Sequence, residues 1–118
     1  MTIRNALASL AVRDLATSGP WYRKLFGRAA DSSPMPEVVE WKFEGGGWLQ
    51  VYEREGAVGG GSVTLSVTDL DAQIASLRTL GIDPGEVMES GKARVVMIKD
   101  PDGNSIAFAE AADAHIAQ

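Results

Sequence analysis

A short strand-to-helix signature occurs twice in this chain and limits the folds that the chain can adopt. Residues 10–15 read Leu-Ala-Val-Arg-Asp-Leu and residues 65–70 read Leu-Ser-Val-Thr-Asp-Leu, so the two aspartates are 69 − 14 = 55 positions apart in a chain of 118 residues. Aspartate is a favoured N-cap residue, and each copy leads into a helical pattern that closes on glycine. The repeat predicts two similar modules with a joint core and a cavity where they meet.

The length of the chain restricts how the two modules can be combined. A chain of 118 residues is expected to form one domain, whereas a module of about 55 residues would be only marginally stable by itself. We therefore expect a single domain of two modules, residues 5–53 and 62–110, with a linker that includes Gly59, Gly60 and Gly61. The modules can pair within one chain or across two chains, and we expect a homodimer.

The charge and composition argue against several classes of partner. A formal net charge of −5 disfavours binding to the phosphates of nucleic acids. No apolar run approaches the length of a membrane span, and the N-terminal residues lack the apolar core of a signal peptide. The absence of cysteine leaves no disulfide framework, and a cytoplasmic location is expected.

The order expected in the first module is a strand, a helix and three strands. The apolar pattern locates the first strand, the helix and two of the three later strands. Ser18 is a candidate cap for a helix over residues 18–26, which would place Pro20 in the first turn. A loop containing Pro34 and Pro36 is expected next. The strands that the pattern does indicate cover residues 5–12, 38–43 and 48–53.

The second module repeats this order. Leu70, Ile74 and Leu77 recur at helical spacing, which predicts a helix over residues 70–80 whose apolar stripe packs on a sheet. The predicted strands cover residues 63–67, 85–89, 93–99 and 105–109. Asp-Pro-Asp-Gly-Asn at residues 100–104 predicts the turn of the last hairpin.

Four motifs in this order resemble the vicinal oxygen chelate superfamily, which includes glyoxalase I, bleomycin resistance proteins and extradiol dioxygenases. They are Val-Arg-Asp-Leu at 12–15, Trp-Tyr-Arg-Lys-Leu-Phe-Gly at 21–27, Val-Thr-Asp-Leu-Asp at 67–71 and the turn at 100–104. The resemblance covers about residues 5–110. It implies an α+β fold of two βαβββ modules that form a cupped sheet with the helices outside.

The same resemblance locates the positions at which metal-dependent members carry their ligands, on the first and last strands of each module. In this chain those positions hold Leu7, Gln50, Ser62 and Ala107. Leucine and alanine have no donor atom, whereas zinc, nickel and ferrous sites of this kind use imidazole and carboxylate. We therefore expect no metal and no other cofactor.

Three other residues are candidates for catalytic or ligating roles. The only histidine, His115, lies in an alanine-rich tail and is expected to be solvated. Glu53 and Glu110 are three residues beyond Gln50 and Ala107, and an odd offset along a strand places them on the opposite face. No catalytic residue is therefore assigned, and the interpretation tends towards a protein that is not an enzyme.

Strand alternation predicts which side chains line the cup. With the family's ligand positions taken as facing inward, the opposite parity of the strands is uniformly apolar, which suits the helix-covered face. No charged residue is expected to face inward, so this wall suits a mostly neutral, planar organic ligand. Acidic residues at the rim, such as Glu40 and Glu53, could instead favour a cation. Trp48 and Tyr52 are equally compatible with a core plug. The candidate ligand-binding residues are Leu7, Ser9, Trp48, Gln50, Tyr52, Ser62, Thr64 and Ala107.

Three functions are compatible with these features. The leading hypothesis is a glyoxalase/bleomycin resistance-like protein that binds a small organic molecule in a metal-free cup, for drug or metabolite sequestration. The first alternative is a vicinal-oxygen-chelate enzyme of the lyase, isomerase or dioxygenase type that acts without the usual metal. The second is a non-catalytic scaffold whose own side chains fill the cup.

Overall fold

Two similar groups of elements follow one another in the computed structural model, which describes residues 2–112. The first group comprises β1 (Leu7–Val12), α1 (Leu15–Phe26), β2 (Ser32–Met35), β3 (Val38–Lys42) and β4 (Trp48–Glu53). The second comprises β5 (Ser62–Ser66), α2 (Leu70–Thr79), β6 (Met88–Glu89), β7 (Ala93–Lys99) and β8 (Ser105–Ala111). We call them module 1 and module 2. The prediction for His115 lies outside the described residues.

Each module forms one four-stranded mixed sheet. The strand order is β1-β4-β3-β2 in module 1 and β5-β8-β7-β6 in module 2. The first and last strands of each module run parallel, and the other neighbours are antiparallel. The predicted α+β fold of two βαβββ modules is confirmed.

The helix of module 1 begins earlier than predicted. Asp14, not Ser18, is the N-cap, and its carboxylate accepts a hydrogen bond from the Thr17 N–H at 2.7 Å. Pro20 therefore lies inside the helix and not in its first turn. Gly19 precedes it and has no Cβ to clash with the proline ring, which eases this placement. Ser18 is buried, and its hydroxyl contacts module 2.

The predicted loop at residues 34–36 is partly wrong, because Ser32–Met35 is a strand at the edge of its sheet. Pro34 has no N–H to donate, and an edge strand needs no partner on its outer side. Strand β6 is only two residues long, and β8 extends two residues further than predicted. The strands over Trp48–Glu53 and Ala93–Lys99 have the predicted bounds.

The helices cover one face of each sheet and bury the core. Leu70, Ile74 and Leu77 are buried as predicted. Trp41 is also core, with its ring centroid 5.3 Å from that of Phe26 and its Nε1 donating to the Arg28 carbonyl. It packs on the aromatic residues of α1. The other fully buried apolar side chains include Leu10, Val12, Tyr22, Leu49, Val51, Val96 and Ile106.

The turn at residues 100–104 joins the two modules. The Tyr22 hydroxyl of α1 donates to the Asp100 carboxylate at 2.7 Å, and both groups are buried. Asn104 donates to the Ala11 carbonyl of β1 at 2.9 Å and accepts from the Gly61 N–H at 3.0 Å. Burial, followed by the hydrogen bond to Asp100, raises the pKa of Tyr22 far above its usual value, so its hydroxyl stays a donor. This turn therefore connects the two modules in addition to joining β7 to β8.

Candidate functional site

The face of the first sheet that is turned away from α1 carries the five predicted ligand residues of module 1. Along β4, the half-buried Trp48, Gln50 and Tyr52 alternate with the fully buried Leu49 and Val51. Leu7 pairs with Trp48 and Ser9 with Gln50 in the parallel register of β1 and β4, so both are on the same face. We call this surface the open face of module 1.

A cleft on this open face brings together three of the predicted residues. It has a volume of about 430 Å³ and is lined by Ser9, Met35, Glu37, Val38, Gln50 and Tyr52. Met35, 51% exposed, comes from the edge strand that was predicted as a loop, and therefore the sequence did not identify it as a lining residue. Leu7 and Trp48 lie at the other end of the face, where the Lys42 ammonium is 5.7 Å from the Trp48 ring centroid.

A chain of hydrogen bonds crosses all four strands of the open face. Ser9 donates to the Gln50 amide oxygen at 3.3 Å, and the Gln50 amide nitrogen donates to Glu40 at 3.0 Å. Ser32 donates to the other carboxylate oxygen of Glu40 at 2.9 Å. One residue from each strand takes part, so the sheet register itself positions the chain of polar groups. We call these four residues the polar ribbon.

Glu40 and Lys42 correct the prediction of an uncharged open face. Both belong to β3, where they pair with Gln50 and Trp48 in the antiparallel register. Directly opposed residues of antiparallel strands project on the same side of a sheet. The signal was present in the sequence, since Trp41 is the core residue between them and strand alternation turns its two neighbours away from the core.

The equivalent face of module 2 combines hydroxyl, apolar and charged side chains, and the Lys99 ammonium donates to the Ser105 hydroxyl there at 2.7 Å. Ser62 and Thr64 are exposed on β5, while Ala107 is buried on β8 and pairs with Met97 on β7. Met97 is 45% exposed. The eight predicted residues thus fall into two groups, five on the first sheet and three on the second.

Glu53 and Glu110 act on the helix side of the sheets. Glu53 accepts a hydrogen bond from the N–H of Leu15, and Glu110 accepts one from the N–H of Leu70, each at 3.1 Å. Each glutamate thus satisfies a free backbone donor at the start of its own module's helix. Glu53 is exposed, and its hydrogen bond to the helix is a role that the sequence did not predict.

The residues at the family's ligand positions do not match a transition-metal site. Leu7 and Ala107 supply no donor atom, and the Gln50 amide is engaged by Ser9 and Glu40. Within residues 2–112, no three histidine, cysteine, aspartate or glutamate side chains form a group that could hold a metal ion. In the same range, neither helix is long and apolar enough to cross a membrane.

Comparison with known proteins places this geometry among related folds. The model of the Glyoxalase/Bleomycin resistance protein/Dioxygenase superfamily matches residues 4–108. A solved glyoxalase / bleomycin resistance protein from Catenulispora acidiphila DSM 44928 is 34% identical, with 90% of this chain and 96% of that chain covered and a TM-score of 0.80. A comparison with curated proteins finds no significant match.

Two more distant solved structures share the fold. TnmS3, an antibiotic binding protein from Streptomyces sp. CB03234, is 22% identical, with 95% of this chain and 99% of that chain covered and a TM-score of 0.79. Lactoylglutathione lyase from Agrobacterium tumefaciens is also 22% identical, with 91% and 92% covered and a TM-score of 0.75. At this identity the likeness concerns the fold alone.

Proposed function

Because the chain belongs to the Glyoxalase/Bleomycin resistance protein/Dioxygenase superfamily, we propose that it binds a small organic molecule for drug or metabolite sequestration. The observation that carries this proposal is the open cleft of about 430 Å³ on the open face of module 1, which is lined by a phenol ring, an amide and a hydroxyl. Ligand pockets combine apolar walls with a few well-placed polar groups in this way. The proposed binding residues are Leu7, Ser9, Trp48, Gln50, Tyr52, Ser62, Thr64 and Ala107.

The burial of the aromatic residues supports binding over a cup filled by its own side chains. Trp48 and Tyr52 are half-buried on the open face, whereas Trp41 is fully buried on the other face of the same sheet. A side chain that plugs a core is expected to resemble Trp41. The described antibiotic binding of TnmS3, a protein of the same fold, is compatible with the proposal.

The family also contains enzymes, and the donor chemistry of this chain makes binding without a metal cofactor the better proposal. Of the four positions at which metal-dependent members place ligands, Leu7 and Ala107 offer no donor atom.

A homodimer is part of the proposal, as is the cytoplasmic location predicted from the sequence. The molecule is flat, with extents of 43 × 41 × 26 Å, and the exposed Leu7, Met88 and Met97 leave apolar surface for a second copy to cover. A stable dimer would bury about 800 Å² on each partner. Light scattering at micromolar concentration tests it, and a monomer there contradicts it.

Truncating Trp48 tests whether the bound ligand extends along the open face to the end at which Trp48 lies. In a panel of planar aromatic compounds, we expect ligands that quench tryptophan fluorescence and raise the melting temperature. Trp48→Ala should weaken their binding by about 1–3 kcal/mol while the variant stays folded. Trp41→Ala is the matched control and should instead destabilise the fold by about 3–5 kcal/mol, because its ring is core.

Failure of every compound in the panel to bind the wild-type protein would contradict the proposed function, and two results would contradict the role of Trp48. Trp48→Ala could unfold the chain as Trp41→Ala does, which would make Trp48 a core residue. Alternatively, Trp48→Ala could bind every compound as tightly as the wild-type protein does, which would remove Trp48 from the site.

A further inference from the structure

We propose that module 1 carries a second ligand site, an open cleft at the end of α1 that binds the phosphate group of a small phosphate monoester. The cleft has a volume of about 360 Å³ and is lined by Pro20, Arg23, Lys24, Gly27, Arg28 and Ala29. We call it the basic cleft. It lies on the helix side of module 1 and shares no lining residue with the cleft on the open face, so it goes beyond the proposed function.

The end of α1 brings the three cations of the basic cleft together. Arg23 and Lys24 belong to the last turn of α1, and Gly27 follows as the C-cap with a φ of 71°. Glycine adopts this left-handed conformation without strain, and it turns the chain away from the helix axis. Arg28 is thereby placed on the same cleft as Arg23 and Lys24.

The positive charges of the basic cleft are only partly compensated. Arg28 donates to the Asp31 carboxylate at 2.6 Å and to the Lys42 carbonyl, and these two bonds hold its guanidinium in place. Within the described residues, neither Arg23 nor Lys24 forms an ion pair, and no carboxylate lines the cleft. Two positive charges therefore remain without a partner, in a chain whose formal net charge is −5.

The helix dipole alone does not explain this arrangement. Cations in the last turn of a helix interact favourably with its negative end, and α2 also carries one there, Arg78. The end of α1 differs, because three cations surround a cleft. The partial charge of the helix end is about half an elementary charge, so it offsets only part of the two unpaired positive charges.

A phosphate monoester fits the charge, the donors and the size of the basic cleft. Above its second pKa, about 6, it is a dianion and matches the two unpaired cations. A guanidinium has five N–H donors, and Arg28 uses only two of its own within the chain, so the others are free to reach phosphate oxygens. A volume of about 360 Å³ exceeds that of the phosphate group, which leaves room for an organic group beside Pro20 and Ala29.

Phenyl phosphate and benzoate, two aromatic anions, test the preference for a dianion. At about pH 7.5 phenyl phosphate is mostly a dianion, whereas benzoate is a monoanion. In NMR titrations at constant ionic strength, we expect phenyl phosphate to shift the amides of Lys24, Gly27 and Ala29 and to bind at least about fivefold more tightly than benzoate. Below about pH 6 the phosphate gains a proton, and this preference should disappear.

Matched variants assign the binding to the basic cleft. Arg23→Gln and Lys24→Gln should each weaken phenyl phosphate binding about threefold, and the double variant about tenfold. Arg78→Gln is the control, since it removes the same charge from the last turn of α2, outside the cleft, and it should leave the affinity unchanged. The three side chains are exposed, so the variants should stay folded.

The charge of the whole chain favours a soluble ligand over a lipid headgroup. A formal net charge of −5 opposes approach to an anionic membrane surface. We therefore expect no cosedimentation with phosphatidic acid vesicles. Cosedimentation that the double variant abolishes would assign the basic cleft to a lipid headgroup and overturn the soluble ligand.

Three further results would overturn this site and leave the proposed function untouched. Benzoate could bind at these amides as tightly as phenyl phosphate does. The double variant could keep the wild-type affinity, or Arg78→Gln could lose as much affinity as the double variant, which would indicate unspecific attraction of anions. Phenyl phosphate could also shift only Gln50 and Tyr52, which would place it in the cleft on the open face.

Discussion

In each module, one glutamate on the last strand links that strand to the helix by a hydrogen bond. Glu53 and Glu110 occupy equivalent places, and each accepts a hydrogen bond from the first N–H of a helix whose N-cap is an aspartate. The two carboxylates at each helix N-terminus also interact favourably with the positive end of the helix dipole. At the scale of the residue, Glu53 and Glu110 therefore stabilise the fold.

Glu53→Ala should lower the free energy of unfolding by about 1 kcal/mol, because the Leu15 N–H loses its acceptor. Glu55→Ala is the control, since this exposed residue lies beyond β4, and its effect should be within about 0.5 kcal/mol. Urea unfolding followed by far-UV circular dichroism measures both. Equal stability of the two variants would show that the cap contributes nothing.

The stability of module 1 should depend on pH through Asp31, which precedes β2 and accepts a hydrogen bond from the last residue of β3. Hydrogen bonds from the Arg28 guanidinium and the Lys42 N–H hold the pKa of this carboxyl below its usual value. A depressed folded-state pKa contributes stability above the unfolded-state pKa, about 3.9, that is lost as the pH falls through the lower folded-state value. The melting temperatures of the wild type and Asp31→Asn should therefore differ at pH 7 and converge in acid. A difference that does not change with pH would contradict this.

At the scale of the element, burial decides what each apolar residue of α2 contributes. Leu77 faces the sheet and is fully buried, whereas Leu80 follows the helix as its C-cap and is 38% exposed. The same side chain thus occurs in two environments three positions apart. Comparison of this pair therefore shows how much burial of a leucine side chain contributes to stability.

Leu77→Ala should destabilise the chain by about 2–5 kcal/mol, because it leaves a cavity in the core. Leu80→Ala should have a much smaller effect, since less of the side chain leaves water on folding. Chemical denaturation of both variants provides the measurement. A loss at Leu80 as large as that at Leu77 would contradict the observed orientation of α2.

At the scale of the whole molecule, the turn at residues 100–104 makes the two modules depend on each other. Asp102 accepts hydrogen bonds from the Arg13 N–H and the Ser18 hydroxyl, and Asn104 reaches the Ala11 carbonyl. A Cβ at Gly59 would collide with the Asp102 carbonyl, so the linker also fits closely against this turn. We propose that residues 5–53 and 62–110 unfold as one domain.

The positions of the tryptophans allow a direct test. Trp21, Trp41 and Trp48 all belong to module 1, so tryptophan fluorescence reports on module 1 and circular dichroism on both modules. The two urea transitions should coincide in the wild-type protein. Asn104→Ala should lower the free energy of unfolding by about 1–3 kcal/mol for each buried backbone group that it leaves unpaired. The fluorescence and circular dichroism transitions of this variant should then separate. Separate transitions in the wild-type protein would contradict the proposal of one domain.

The sequence by itself determined the repeat, the order of elements, the stripe of α2 and the bounds of β4 and β7, because these depend on local periodicity and capping. It also identified the face on which Ser9, Gln50 and Tyr52 lie, since alternation along a strand is local.

Only the tertiary structure decided the placement of groups that are distant in sequence. The register of β3 against β4 brings Glu40 to Gln50. The edge position of β2 allows a segment that contains Pro34 to form a strand. The turn at residues 100–104 packs against α1 and helps to bury Ser18. Each of these depends on pairing and burial between segments that no local pattern relates, and hydrogen bonds across such contacts form only when the sheets and helices are assembled.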